Sequence, residues 1–220
     1  MKTVLILVEG QTEETIVGDT LNPHLAPRGV VLQPVILKTK REKSGKTFKG
    51  GVSSFAQVER DLRALLGNTS AVAATTFIDY YGLPQDFPGL DSRPGGDPYA
   101  RVAHTEDAFA MAIGNRRFIP HLTLHEVEAW VFADPSKCDW VLGGPSAAMR
   151  LTTIRDQCGG AERINEEPDT APSKRLLGLV SSYQKPFHSP LAVGEIGMRD
   201  IRAVCPHADQ WLVRIEALGG

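Results

Sequence analysis

Thr3-Val4-Leu5-Ile6-Leu7-Val8, closed by Glu9-Gly10-Gln11-Thr12-Glu13, is the stretch that decides the fold. Its apolar and β-branched residues run without polar alternation. That pattern reads as a strand buried on both faces, as in a parallel sheet. Residues 13–21 then read as a helix, with Thr12 as N-cap. Glu13 and Glu14 sit in its first turn, where carboxylates suit the helix dipole.

The alternation repeats outward from there. Residues 30–38 form a second apolar run, and Pro34 inside it argues for an edge position or a bulge. A basic, Gly-punctuated loop follows at 38–50. Ser53 or Ser54 then starts a helix through Leu66, with Phe55, Val58, Leu62, Leu65 and Leu66 at helical spacing. Residues 71–78 read as a third buried strand ending at Asp79. A Pro- and Gly-rich loop leads to a short helix at 105–113, capped by Thr105. Residues 118–125 read as a fourth strand running into His125-Glu126-Val127-Glu128-Ala129-Trp130. This order predicts an α/β fold with a mostly parallel, four-stranded sheet flanked by helices. Beyond about residue 135 strand-like runs become scarce, and helices are expected at 146–156, 172–182, 198–204 and 206–218. The expected organisation is an α/β core over 1–135 and a helical extension over 136–220, packed together as one compact unit.

Composition bounds the function. The chain has 220 residues, 42% hydrophobic and 23% charged, with a formal net charge of −2. Those values exclude a disordered or collagen-like chain and a polycation that coats nucleic acid indiscriminately. Cys138, Cys158 and Cys205 are odd in number and widely spaced, which argues against a disulfide framework or a cysteine-rich zinc site. No apolar run is long enough for a membrane span or a signal sequence. A cytoplasmic protein without membrane attachment is the expectation.

Ligands of parallel α/β sheets bind at the carboxyl ends of the strands. Glu9 follows the first strand, Asp79 the third, and Glu126 with Glu128 the fourth. Carboxylates converging in a partly dry crevice repel one another, and a hard cation such as Mg²⁺ or Mn²⁺ relieves that repulsion. The alternative is plain: acidic residues after strands also cap the next helix. The basic loop offers Lys40, Arg41, Lys43, Lys46 and Lys49 to a phosphate backbone, or is simply a solvated charged loop. Its Gly45-Lys46-Thr47 lacks the first glycine of a phosphate-binding P-loop, so that reading is rejected. Pro172-Ser173-Lys174-Arg175 reads as a helix start whose cations oppose the helix dipole and therefore call for an anionic partner, or for solvent. His125 beside Glu126 reads either as a packing or hydrogen-bonding residue or as a general acid/base or ligand. Trp130, His207 and Trp211 read as structural.

Val8-Glu9-Gly10-Gln11-Thr12-Glu13, Asp79-Tyr80-Tyr81-Gly82-Leu83-Pro84, His125 to Trp130, Ala171 to Arg175 and Cys205-Pro206-His207 together resemble the bacterial domain-of-unknown-function 4276 family over nearly the whole chain. That family is similar to the Toprim fold of topoisomerases, primases and overcoming-lysogenization-defect nucleases. The resemblance implies a Mg²⁺ site with a Glu after the first strand, matched by Glu9. It also implies an Asp-x-Asp after the third strand, of which Asp79 is the first member. Tyr81 stands where the second Asp would be, so Glu126 or Glu128 would take its place.

The resulting expectation is a metal-dependent phosphodiesterase acting on DNA or RNA. Glu9 and Asp79 would be catalytic and metal-binding, and Lys174 and Arg175 would contact phosphate. The resemblance also implies an anti-phage effector working with an AAA- or ABC-type ATPase. The second expectation is a non-catalytic regulatory or binding subunit of such an ATPase.

Overall fold

The computed structural model describes residues 1–37, 52–164, 167 and 169–220. Its sheet is wholly parallel, in the order β2-β1-β3-β4, with β5 also paired to β3. The strands are β1 (Lys2–Val8), β2 (Val30–Ile36), β3 (Ala73–Asp79), β4 (Phe118–Ile119) and β5 (Leu122–Thr123). The expected α/β architecture, a mostly parallel sheet between helices, is what forms. Period-2 geometry explains the unbroken apolar runs. Val4, Ile6 and Val8 of β1 join one core cluster, while Leu5 and Leu7 join the cluster on the opposite face. β3 is buried along its whole length, as a central strand must be. Pro34 lies in β2 at the sheet edge, where the missing N–H breaks no ladder on the outer side.

The expected fourth strand is divided. Phe118 and Ile119 pair with Ala74 and Thr75, and Leu122 and Thr123 pair with Ile78 and Asp79, in one continuous register. Pro120 lies between and has no N–H to give the ladder. Thr76 of β3 fills in, its Oγ1 donating to the His121 carbonyl at 2.6 Å and accepting from the His121 N–H at 3.2 Å.

Helices cover both faces. α1 (Gln11–Ile16) continues through a π-turn at Val17–Leu21 into α2 (Asn22–Leu25). α3 (Phe55–Leu66) starts at Ser54, yet the side chain that meets its first N–H is Asp86 of the long loop, at 3.0 Å. α4 (Pro98–Ile113) is a full turn and more longer than expected, beginning at an Asp97 cap. The C-terminal part holds α5 (Pro145–Cys158), α6 (Pro172–Leu179), α7 (Lys185–Ile196), α8 (Met198–Val204) and α9 (Pro206–Glu216). α7 was not among the expected helices. One apolar cluster extends from Val4 and Ile6 of β1 to Trp211, Leu212 and Ile215 of α9. Trp211 also donates its indole N–H to Thr75 Oγ1 at 2.9 Å, tying α9 to the central strand. Among the described residues no helix is long and apolar enough to cross a membrane.

Candidate functional site

Parallel strands end at one edge, and the acidic residues following them meet there. Glu9 Oε1 accepts the backbone N–H of Asp79 at 3.0 Å, joining the end of β1 to the end of β3. Asp79 in turn accepts the Val127 N–H on Oδ1 at 2.9 Å, joining β3 to the segment after β5. That segment is a buried 3-10 turn, Val127–Phe132, which carries Glu128 inward with no solvent exposure. Just before it, His125 holds a left-handed φ of 64°. Its carbonyl accepts the Tyr81 N–H at 2.7 Å, so the residue standing at the second-Asp position is anchored by its backbone.

The centre of this edge is occupied by a residue that the sequence reading did not nominate. Lys185, the first residue of α7, places Nζ 2.8 Å from Asp79 Oδ2, 3.1 Å from Glu128 Oε2 and 3.9 Å from Glu13 Oε1. Glu13 is held in turn by the Gly10 N–H at 3.0 Å. Glu128 Oε1 accepts from Ser189 Oγ at 3.2 Å, and Ser189 contacts the Tyr183 hydroxyl. Glu128 Oε2 is buried with the ion contact to Lys185 and no hydrogen bond of good geometry.

One ammonium therefore faces Glu13, Asp79 and Glu128, and Glu9 joins them through the Asp79 backbone. The charge imbalance is written in the acidities. Burial, together with the charges of Asp79 and Glu13, raises the Glu9 carboxyl well above the usual range. Burial and Asp79 push Glu13 up to about 7. Burial, with the charges of Asp79 and Glu126 against the pull of Lys185, pushes Glu128 up to about 7. Lys185 is held charged by Asp79, Glu128 and Glu13 in spite of its own burial. Of this set, Glu9, Glu13 and Lys185 line a cavity of about 600 Å³ together with Gly10, Gln11, Thr12 and Pro186, while Asp79 and Glu128 lie buried behind Lys185. A second cation in this cavity would relieve repulsion that Lys185 alone leaves unbalanced. An all-oxygen donor set beside an open cavity fits a hard divalent ion.

The other nominated residues fall elsewhere. Glu126 is engaged at the start of α6, accepting the Ser173 N–H and the Ser173 hydroxyl, each at 2.9 Å. It thus acts as the anion at that helix start, and Ser173 rather than Lys174 or Arg175 receives it. Lys174 is exposed. Arg175 turns its Nε to the Thr170 carbonyl at 2.7 Å. Lys40, Arg41, Lys43, Lys46 and Lys49 lie outside the described residues.

Two signals for the missed residues were present. A lysine opening a helix ahead of Pro186 opposes the dipole just as Lys174 and Arg175 do, and so also asks for an anionic partner. Glu9 and Glu13 stand four apart across a strand-to-helix turn, close enough to face one space.

Comparison with known proteins adds the following. No curated protein matches the chain. Among solved structures, the C-terminal region of the Burkholderia pseudomallei OLD protein aligns over 100% of both chains, with 16% identity and a TM-score of 0.48. The family model described as "Domain of unknown function (DUF4276)" matches residues 8–216. With that match spanning the carboxylate edge, Lys185 and α9 alike, the chain belongs to the DUF4276 family.

Proposed function

We propose that this protein is a divalent-metal-dependent phosphodiester hydrolase acting on DNA or RNA. The observation that carries the reading is the convergence of Glu13, Asp79 and Glu128 on Lys185, with Glu9 bonded to the Asp79 backbone, beside an open cavity of about 600 Å³. Those four carboxylates would hold Mg²⁺ or Mn²⁺, which when bound polarises a phosphoryl oxygen and acidifies a water molecule. Lys185, a third exposed and lining the cavity, is placed to donate to a phosphate oxygen and to stabilise negative charge developing there. Glu9 lines the same cavity with its carboxyl raised well above the usual range by burial, and a carboxylate there is within reach of a water in the cavity. Val127 and Asp79 fix one another, so Asp79 has little freedom to turn away.

Cleavage of plasmid DNA, single-stranded DNA and RNA with Mg²⁺ or Mn²⁺ tests this. Glu9→Ala and Asp79→Ala are each expected to lower divalent-stimulated cleavage by about a hundredfold or more, as loss of a group acting in the transition state does. Undiminished cleavage by both variants would refute the assignment.

A second reading is a non-catalytic subunit of an AAA- or ABC-type ATPase, within the anti-phage role that the family resemblance implies. What favours it is Tyr81 at the second-Asp position and the occupation of both Asp79 oxygens by Val127 and Lys185. Stoichiometric co-purification with an ATPase, without cleavage under any divalent ion, would select it.

A further inference from the structure

A second group of ligand-type side chains lies apart from the carboxylate edge. Glu106 of α4, His121 between β4 and β5, and His207 near the start of α9 offer donor atoms that all lie within 4.8 Å of one another. His207 Nε2 stands 3.1 Å from Glu106 Oε1, and His121 Nδ1 stands 3.7 Å from the same oxygen. Donors bound at about 2.0–2.1 Å around a tetrahedral ion stand roughly 3.3 Å apart, so these two separations bracket what a Zn²⁺-like ion requires.

An ion pair between Glu106 and His207 accounts for the first contact but not for His121. His121 is 1% exposed. Its Nδ1 is beyond hydrogen-bonding distance of Glu106, and its Nε2 is buried without a hydrogen-bond partner. An ion held by Nδ1 would give the ring a polar partner on its Glu106 side. The ring is held in place, lying 4.2 Å from the Trp211 ring at an angle of 5°. The carboxylate is oriented as well, since Glu106 Oε1 accepts the Leu122 N–H at 2.7 Å. Such outer support is usual around metal ligands. A small cavity of about 70 Å³, lined by these three residues with Pro120, Gln210, Trp211 and Arg214, leaves room for a water as fourth ligand.

We propose that Glu106, His121 and His207 bind one divalent transition-metal ion of the Zn²⁺ class, with water in the fourth position. Two imidazoles and a carboxylate select borderline ions such as Zn²⁺ or Co²⁺ over Mg²⁺. The ligands come from α4, the β4–β5 connection and α9. The ion therefore clamps the C-terminal helix to the sheet, and this site differs in chemistry and place from the carboxylate edge.

Co²⁺ is the probe. Metal-stripped full-length protein is titrated with Co²⁺ and read by the visible ligand-field bands of four-coordinate cobalt, followed by Zn²⁺ displacement and thermal unfolding. The expected result is strong bands for the wild type, their loss on adding Zn²⁺, and a Tm that rises with either metal. A Glu9→Gln/Asp79→Asn double variant keeps the bands. Glu106→Gln retains the acceptor for Leu122, and His207→Asn is a second disruption. Each is expected to weaken Co²⁺ binding by more than about a hundredfold, since losing an outer partner alone costs up to that much. Absence of four-coordinate bands in the wild type overturns the proposal. So do bands that persist in folded Glu106→Gln and His207→Asn protein. A wild type that binds no Co²⁺ while Glu106→Gln lowers Tm identifies the cluster as an ion pair only.

Discussion

Lys185 is the residue on which the carboxylate edge depends electrostatically. Glu128 has no exposure and Asp79 is nearly as buried, and both lean on the same ammonium. Removing one partner of a buried ion pair costs about 3–5 kcal/mol because the other charge is stranded. Lys185 is a third exposed, so water screens part of that loss. Lys185→Met is expected to destabilise the metal-free protein by roughly 2–3 kcal/mol in urea unfolding at neutral pH. Adding Glu128→Gln should recover more than half of that loss, because the stranded charge is gone. A double variant no more stable than Lys185→Met would show that Lys185 acts through packing of its stem. Legibility at this scale followed chemistry. Glu9 and Asp79 were readable because strand ends in parallel sheets converge. Glu128 was one of two candidates until the structure separated it from Glu126, which caps α6 through Ser173. Their separation depends on the left-handed turn at His125, a conformation that non-glycine residues seldom adopt and that no local residue pattern announces.

At the scale of elements, the long runs were legible and the interrupted ones were not. β1 and β3 announce themselves because nothing polar breaks them. β4 and β5 read as one strand because Phe118, Ile119, Leu122 and Leu124 keep an apolar character on either side of Pro120, which has no N–H to give the ladder. α7 was hidden by Pro186, Pro190 and Gly194, each a helix breaker out of context. Pro186 sits harmlessly in the first turn, and the loss at Pro190 is offset by burial of Ala192, Val193 and Ile196 against the core. α3 depends on a partner distant in sequence. Its starting N–H meets Asp86, and Ser54 makes no side-chain cap. Asp86→Ala is expected to cost about 1 kcal/mol, the usual worth of an N-cap side chain, measured by chemical denaturation. Ser54→Ala should cost much less. The reverse order would mean that Ser54 is the effective cap in solution.

Across the whole molecule, the carboxylate edge sets a pH dependence. Glu13 and Glu128 both shift from 4.5 in the unfolded chain up to about 7 in the folded one, and Glu9 shifts in the same direction. The folded state thus holds protons that the unfolded state releases. Stability from these groups is complete below about pH 4.5 and is lost as pH rises through about 7. Metal-free protein is expected to show a Tm that falls over that interval. Millimolar Mg²⁺ or Mn²⁺ should flatten the fall, because an ion replaces the protons. A metal-free Tm that rises steadily from pH 5 to about 7.5 would contradict the assignment of raised acidities.

The carboxylate edge draws on residues 9–13, 79, 128 and 185, which lie far apart in the sequence. A nascent chain still short of α7 has its acidic residues but not the ammonium that holds them together. Whatever this edge does, it begins only after the ribosome has passed Lys185. A product ending before Lys185 would leave Asp79, Glu128 and Glu13 without their shared ammonium.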